Sequence, residues 1–278
     1  MESCLKHGRS MKRLRIRWQT WALLLLAAVP TWVFAQPTPA ALAAFDSYIN
    51  ALESRLDQQH RSASIFLADG TTSPEIEARL HKGELIVDEL THSGAISHGA
   101  MLHHWRGTAF AAGAKAADFE RLMKDFAAYP QCFRPQVVQG RVLSRRGDHL
   151  QAQLRVRQHH VLTVVMDTTY DVTFAELDRQ HGYSFSRSTR ISEIDAAGTS
   201  SERALNAGEG HGFLWRLNSY WSYAEQDGGL YMQIESVSLT RNIPRGLGWV
   251  VRPFVQSVPR ESLEFTLRST ANALRKKP

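Results

Sequence analysis

The chain has 278 residues, 43% hydrophobic and 22% charged, which is enough apolar side chain for a buried core and argues against a disordered chain. Its formal net charge of +6 invites a nucleic-acid partner, but six Lys and Arg against one acid, Glu2, fall in the first 35 residues. The rest carries 27 basic and 26 acidic residues, so a basic surface is not its theme and no nucleic-acid partner is expected.

Four basic residues, Lys12, Arg13, Arg15 and Arg17, precede an apolar stretch from Trp21 to Phe34, which closes in Val33-Phe34-Ala35 before Gln36. This is the three-part pattern of a secretory signal peptide cut near Ala35, and it places the mature chain in a periplasm or outside the cell. The apolar run falls short of the ~20 residues of a membrane helix. An uncleaved anchor, with Trp18, Trp21 and Trp32 at the interface, is the alternative. Cys4 leaves with the signal, so Cys132 stands alone, no internal disulfide is expected, and stability must come from packing.

From Pro39 to Leu56 the residues Leu42, Phe45, Ile49, Leu52 and Leu56 recur at steps of three and four, which predicts an amphipathic helix. A Gly/Thr/Ser/Pro break at Gly70 to Pro74 and a mixed segment to Leu90 follow, so residues 36–95 read as a helical extension ahead of the main domain, 96–278. A strand is expected near His98 to Phe110, then a helix from Ala116 to Ala128 ended by Tyr129-Pro130. Six strand candidates follow: Val137–Leu143, Leu150–Gln158, Val161–Phe174, Tyr183–Ile194, Phe213–Ala224 and Tyr231–Thr240. The turn residues between them indicate an antiparallel sheet. The tail from Leu247 to Lys276 is helical in composition, with Pro253 and Pro259 expected to kink it or break it in two. The whole describes an α+β domain in which a curved antiparallel sheet wraps a long C-terminal helix, leaving a cavity between them.

Five segments carry a family resemblance: His103-His104-Trp105-Arg106-Gly107, Tyr129 through Val137, Val161 through Thr168, His211 through Trp221, and Leu239 through Trp249. Over about residues 95–275 the chain resembles the START-like, or SRPBCC, superfamily with its helix-grip fold, and in particular a group of uncharacterised secreted bacterial members. The resemblance implies a fold more than a chemistry, since the superfamily holds lipid carriers, hormone and polyketide binders, cyclases and oxygenase domains.

The Asp227-Gly228-Gly229 turn allows the last two strands to be paired by parity. Trp215, Leu217, Trp221 and Tyr223 then share a face with Met232 and Ile234, while Arg216, Asn218 and Tyr220 share the other with Glu235, Val237 and Leu239. The second face mixes apolar and polar groups, as a pocket for a ligand with a polar end requires. Arg216, Asn218, Tyr220 and Glu235, with Arg187 or Arg190 and with His104, are therefore the candidate ligand-binding residues. A solvent face is the competing reading. With aromatics on both faces the far side needs a cover, either the 39–56 helix or a second copy of the chain.

Metal and cofactor sites are not expected: His103 and His104 are adjacent on a strand and point apart, and no His-Glu-x-x-His or paired-Cys motif occurs. The even-spaced pairs Asp167/Asp171 and Glu193/Asp195 read as exposed strand acids, and Ser184, Ser186 and Ser188 as the outer side of a strand. Basic residues from Arg245 through Arg252, Arg260, Arg268 and Arg275 to Lys277 offer a peripheral contact with anionic headgroups, against a plain solvated helix face. The leading function is binding of a hydrophobic or amphipathic small molecule by a monomer or homodimer. The alternatives are a cyclase- or hydrolase-type enzyme using Arg216, Tyr220, Glu235 or His104, and an envelope interaction module with a closed core.

Overall fold

Thr38 stands in extended backbone before Pro39, and its hydroxyl accepts the Ala41 N–H at 3.1 Å. With Pro at the first helical position, this starts helix α1 (Pro39–His60), whose buried side is Ala41, Phe45, Ile49, Leu52 and Leu56. The computed structural model describes residues 36–62, 66–67, 73–91, 98–159, 163–206, 208–242 and 248–275, with side chains of the last stretch from 257 onward. The segment read as a signal peptide lies outside these residues, as do Arg245 and Lys277 and the side chain of Arg252.

Ser73 caps α2 (Pro74–His81) as Thr38 caps α1, accepting the Ile76 N–H at 3.3 Å. Then come β1 (Ile86–Glu89), β2 (Ala100–Ala112), α3 (Ala116–Lys124), a helical turn α4 (Tyr129–Cys132), β3 (Val137–Arg146), β4 (His149–His159) and β5 (Thr163–Glu176). The chain continues through β6 (His181–Asp195), β7 (Arg203–Ala204), β8 (Arg216–Gln226) and β9 (Gly229–Arg241) to α5 (Gly248–Arg275). The strands form one sheet in the order β1-β2-β9-β8-β6-β5-β4-β3, with β7 beside β6 and every pairing antiparallel.

Asp227 and Gly228 turn the chain at φ +54° and +73°, the left-handed pair that a two-residue hairpin loop needs. The register that follows sets Tyr220 opposite Glu235 and Trp221 opposite Ile234, as parity predicts. Side chains alternate, so each central strand serves two cores. On one face Ala109, Trp221, Met232 and Ile234 pack beneath α5 through Leu263, Leu267 and Ala271, with α3 adding Phe119 and Met123. On the other, Phe185, Tyr220, Val237 and Leu239 pack beneath Phe45, Ile49 and Leu52 of α1. The 39–56 helix is thus the cover of the far face.

Four elements differ from expectation. The 116–128 helix ends at Lys124, and Tyr129-Pro130 starts a further helical turn, because Pro is favoured at a first turn. Strand β1 and helix α2 arise within the mixed segment, and β1 pairs with β2 along Ile86–Glu89. Helix α5 is one element through both prolines, so of the kink or break expected there the break does not occur. Each proline forgoes one backbone bond, and the packing of Leu263, Leu267, Ala271 and Leu274 offsets that loss. Finally, Ser184 pairs with Trp221 and Ser186 with Ser219, so these serines point toward α5 and are not on an outer side.

Candidate functional site

The candidate residues chosen from sequence are brought together, but beneath α1 and not beside α5. Asn218, Tyr220, Glu235 and His104 are buried there at 2–4% exposure. Helix α1 supplies partners that the sequence reading did not name. Glu53 Oε1 accepts from Arg187 Nε at 2.6 Å and from the Tyr220 hydroxyl at 2.9 Å, while Asn218 Nδ2 donates to the Tyr220 oxygen at 3.1 Å. Arg55 Nη2 and His104 Nε2 both reach Glu235 Oε2, at 2.5 and 2.8 Å, and His104 Nδ1 shares a hydrogen bond of 2.8 Å with the Tyr48 hydroxyl. Arg216 instead turns back to the carbonyl of Trp215, and Arg190 lies exposed beside Ser192. None of these six ligand-binding candidates, Arg187, Arg216, Asn218, Tyr220, Glu235 and His104, lies on the sheet face turned toward α5. The reason is the parity itself: the even positions of β8 face α1.

Charge in this network is compensated. Burial pushes the Glu235 carboxyl up, but the His104 hydrogen bond and the Arg55 charge outweigh it and hold Glu235 below the ordinary range. Burial, and then the Glu53 charge, drives Tyr220 well above its usual pKa, and its phenol stays protonated. Burial likewise raises Tyr48. Phenols held protonated and the Glu235 carboxyl held ionised make a clasp between α1 and the sheet rather than an acid–base pair poised for reaction. The spacing of Tyr48, Glu53 and Arg55, each one position from Ile49, Leu52 or Leu56, is the sequence signal for α1's part in it.

The face under α5 has a different character. At Gly107 the helix lies directly on the sheet: a Cβ there would sit 2.4 Å from Leu267 Cδ1. One step along each strand, toward the end of the sheet where α5 begins, a transverse row runs Trp105–Ser236–Ser219–Ser186. All four are only half-buried, although Ile234, Trp221 and Ser184 in the row before are buried. Small side chains in mid-sheet leave space where large ones would fill it. Among the described residues, Trp105 Nε1 is a buried donor without a hydrogen-bond partner. The next row includes His103, bonded through Nε2 to Thr240 Oγ1 at 3.3 Å, and burial pushes its pKa down to about 4.

At the same end, a cavity of ≈ 480 Å³ is bordered by Arg157, Thr163, Val165, Glu193, His211 and Phe213. Glu193 holds the 211–213 loop, accepting the N–H groups of His211 and Gly212 at 2.9 and 3.0 Å. Asp167 is held by both Nε and Nη2 of Arg155, at 2.7 and 2.9 Å, so the two carboxylates are structural partners. Among the described residues, no group of three His, Cys, Asp or Glu is placed to hold a metal ion.

No protein-family model matches the chain, and no curated protein matches it in sequence. In structure it is similar to a STAR-related lipid transfer protein fragment from Xanthomonas axonopodis, at 18% identity over 65% of this chain and 98% of that one, with a TM-score of 0.40. It is also similar to the Zhui aromatase/cyclase from Streptomyces sp. R1128, at 12% identity over 63% and 94%, TM-score 0.44. A third is the human StarD13 lipid transfer and protein localization domain, at 8% identity over 76% and 99%, TM-score 0.44. The chain itself has a helix-grip arrangement, a large antiparallel sheet holding a C-terminal helix on one face and an N-terminal helix on the other.

Proposed function

We propose that this chain binds a hydrophobic or amphipathic small molecule, lipid-like in size, between the sheet and α5. The observation that supports the reading best is the half-buried row Trp105–Ser236–Ser219–Ser186 in the middle of the inner face. Apolar walls from Leu217, Tyr170 and Val172 flank it, so a ligand gains from burial at about 25 cal/mol per Å² while the serine hydroxyls meet a polar end. The candidate residues of the α1 face drop out of the pocket and become the fastening of its outer cover. We place the mature protein, from Gln36, in the periplasm or outside the cell, on the signal-like leader.

Native mass spectrometry of the chain purified after export tests both statements. The expected result is a chain beginning at Gln36 that retains an apolar molecule or takes one up from a lipid panel. A processed chain that stays empty across the panel would overturn the binding reading, and recovery of the chain only from the cytoplasm, with its leader intact, would overturn the location.

A further inference from the structure

In the middle of the sheet charge is kept to one face: on the α5 side it stands only at the margins, as carboxylates, with Glu89 opposite Trp105, Glu176 opposite Gly182 and Glu225 opposite Leu230. Along β2, β9, β8, β6, β5 and β4, the positions turned toward α5 are alternate residues of 101–111, 230–240, 217–223, 182–188, 166–174 and 150–158. None of them is Lys, Arg, Asp or Glu. The opposite positions of the same strands carry Arg106, Arg187, Arg216, Glu235, Arg155 and Asp167. Interior polarity on the α5 side comes from hydroxyls, from the Gln158 amide that donates to Ser262, and from His103, which burial keeps neutral. Further along β6 on that side, Glu193 is already occupied by the loop N–H groups.

An anionic headgroup brought into this space would lose its hydration and meet, among the charged sheet positions described on that face, only carboxylates, while Lys124 is already paired with Glu120; that is far costlier than burying a hydroxyl that meets another hydroxyl. The unpartnered Trp105 N–H in the same row points the same way, since one oxygen acceptor would satisfy it. We infer that the ligand is an uncharged amphiphile, its polar end a hydroxyl or carbonyl, and that carboxylate- and phosphate-bearing lipids are rejected. This rests on the binding reading above and names the class of molecule it takes.

The test is competition at pH 8 against Nile red, a neutral apolar dye, with two ligands of one chain length: oleyl alcohol and oleate. The expected result is that oleyl alcohol displaces the dye at a concentration at least about tenfold lower than oleate. In Ser236→Lys, which sets a cation in the row, oleate should gain at least about tenfold relative to the alcohol. Oleate binding as tightly as the alcohol to the unaltered protein would overturn the inference while leaving the binding reading intact. If neither the dye nor either ligand binds, both fall together.

Discussion

His104 Nε2 lies 2.8 Å from Glu235 Oε2, a pair formed diagonally across β2 and β9 with side-chain exposures of 4% and 2%. Arg55 closes the pair from α1, its own side chain 42% exposed. Glu235→Gln keeps the shape and removes the charge, leaving Arg55 to water and His104 with a weaker acceptor. The expected loss is about 1–3 kcal/mol, read as a lower urea midpoint at unchanged slope. An unchanged midpoint would mean that the clasp contributes nothing to holding α1.

Stability should fall on the acid side. Burial holds His60 and His103 neutral, each pKa pushed from 6.5 down to about 4. The unfolded chain takes up both protons as pH drops below 6.5 and the folded chain does not. Their contribution is therefore complete above that pH and drains away toward pH 4, by up to about 3 kcal/mol each. Glu235, its folded pKa depressed, adds a second loss as pH falls below the ordinary glutamate value of about 4.3. Urea midpoints from pH 8 to 4 should decline in the unaltered protein and much less in the double variant His60→Gln/His103→Gln; equal slopes would contradict this.

Two glycines separate a soft contact from a hard one. At Gly107 an added Cβ meets the ends of Leu267 and Leu263, at 2.4 and 3.1 Å, which can turn aside. At Gly140 it meets the backbone oxygen of Phe126 at 2.1 Å, which cannot yield without moving the chain. Gly107→Ala should cost about 1–2 kcal/mol and Gly140→Ala about 3 kcal/mol, measured by thermal or urea unfolding. The reverse order would show that α5 is the more rigid neighbour.

Much of this was legible in the sequence, and the rest failed for physical reasons. The Phe45–Ile49–Leu52–Leu56 stripe carries its period in the chain, and the Asp227-Gly228 turn fixes which residues of β8 and β9 share a face. Parity sorts side chains into two sets without saying which set faces which helix. Both sets here hold aromatics, so the richer polar set was assigned to the ligand although it belongs to α1. What decides the matter is non-local: the hole at Gly107 that Leu267 fills, and Glu53 and Arg55 reaching across more than 130 residues to Arg187 and Glu235. Strand β1 is only four residues long, and nothing in its composition sets it apart from the helical segment before it.

Placing one bulky side chain on each face of β8 and measuring uptake of a neutral apolar dye bears most directly on where the ligand lies. Ser219→Trp fills the half-buried row under α5 and should abolish uptake while the protein still unfolds cooperatively. Arg216→Trp, on the face turned the other way, should leave uptake near that of the unaltered protein. If the Ser219 variant binds normally and the Arg216 variant does not, the guest sits on the α1 side and the space beneath α5 is not its site.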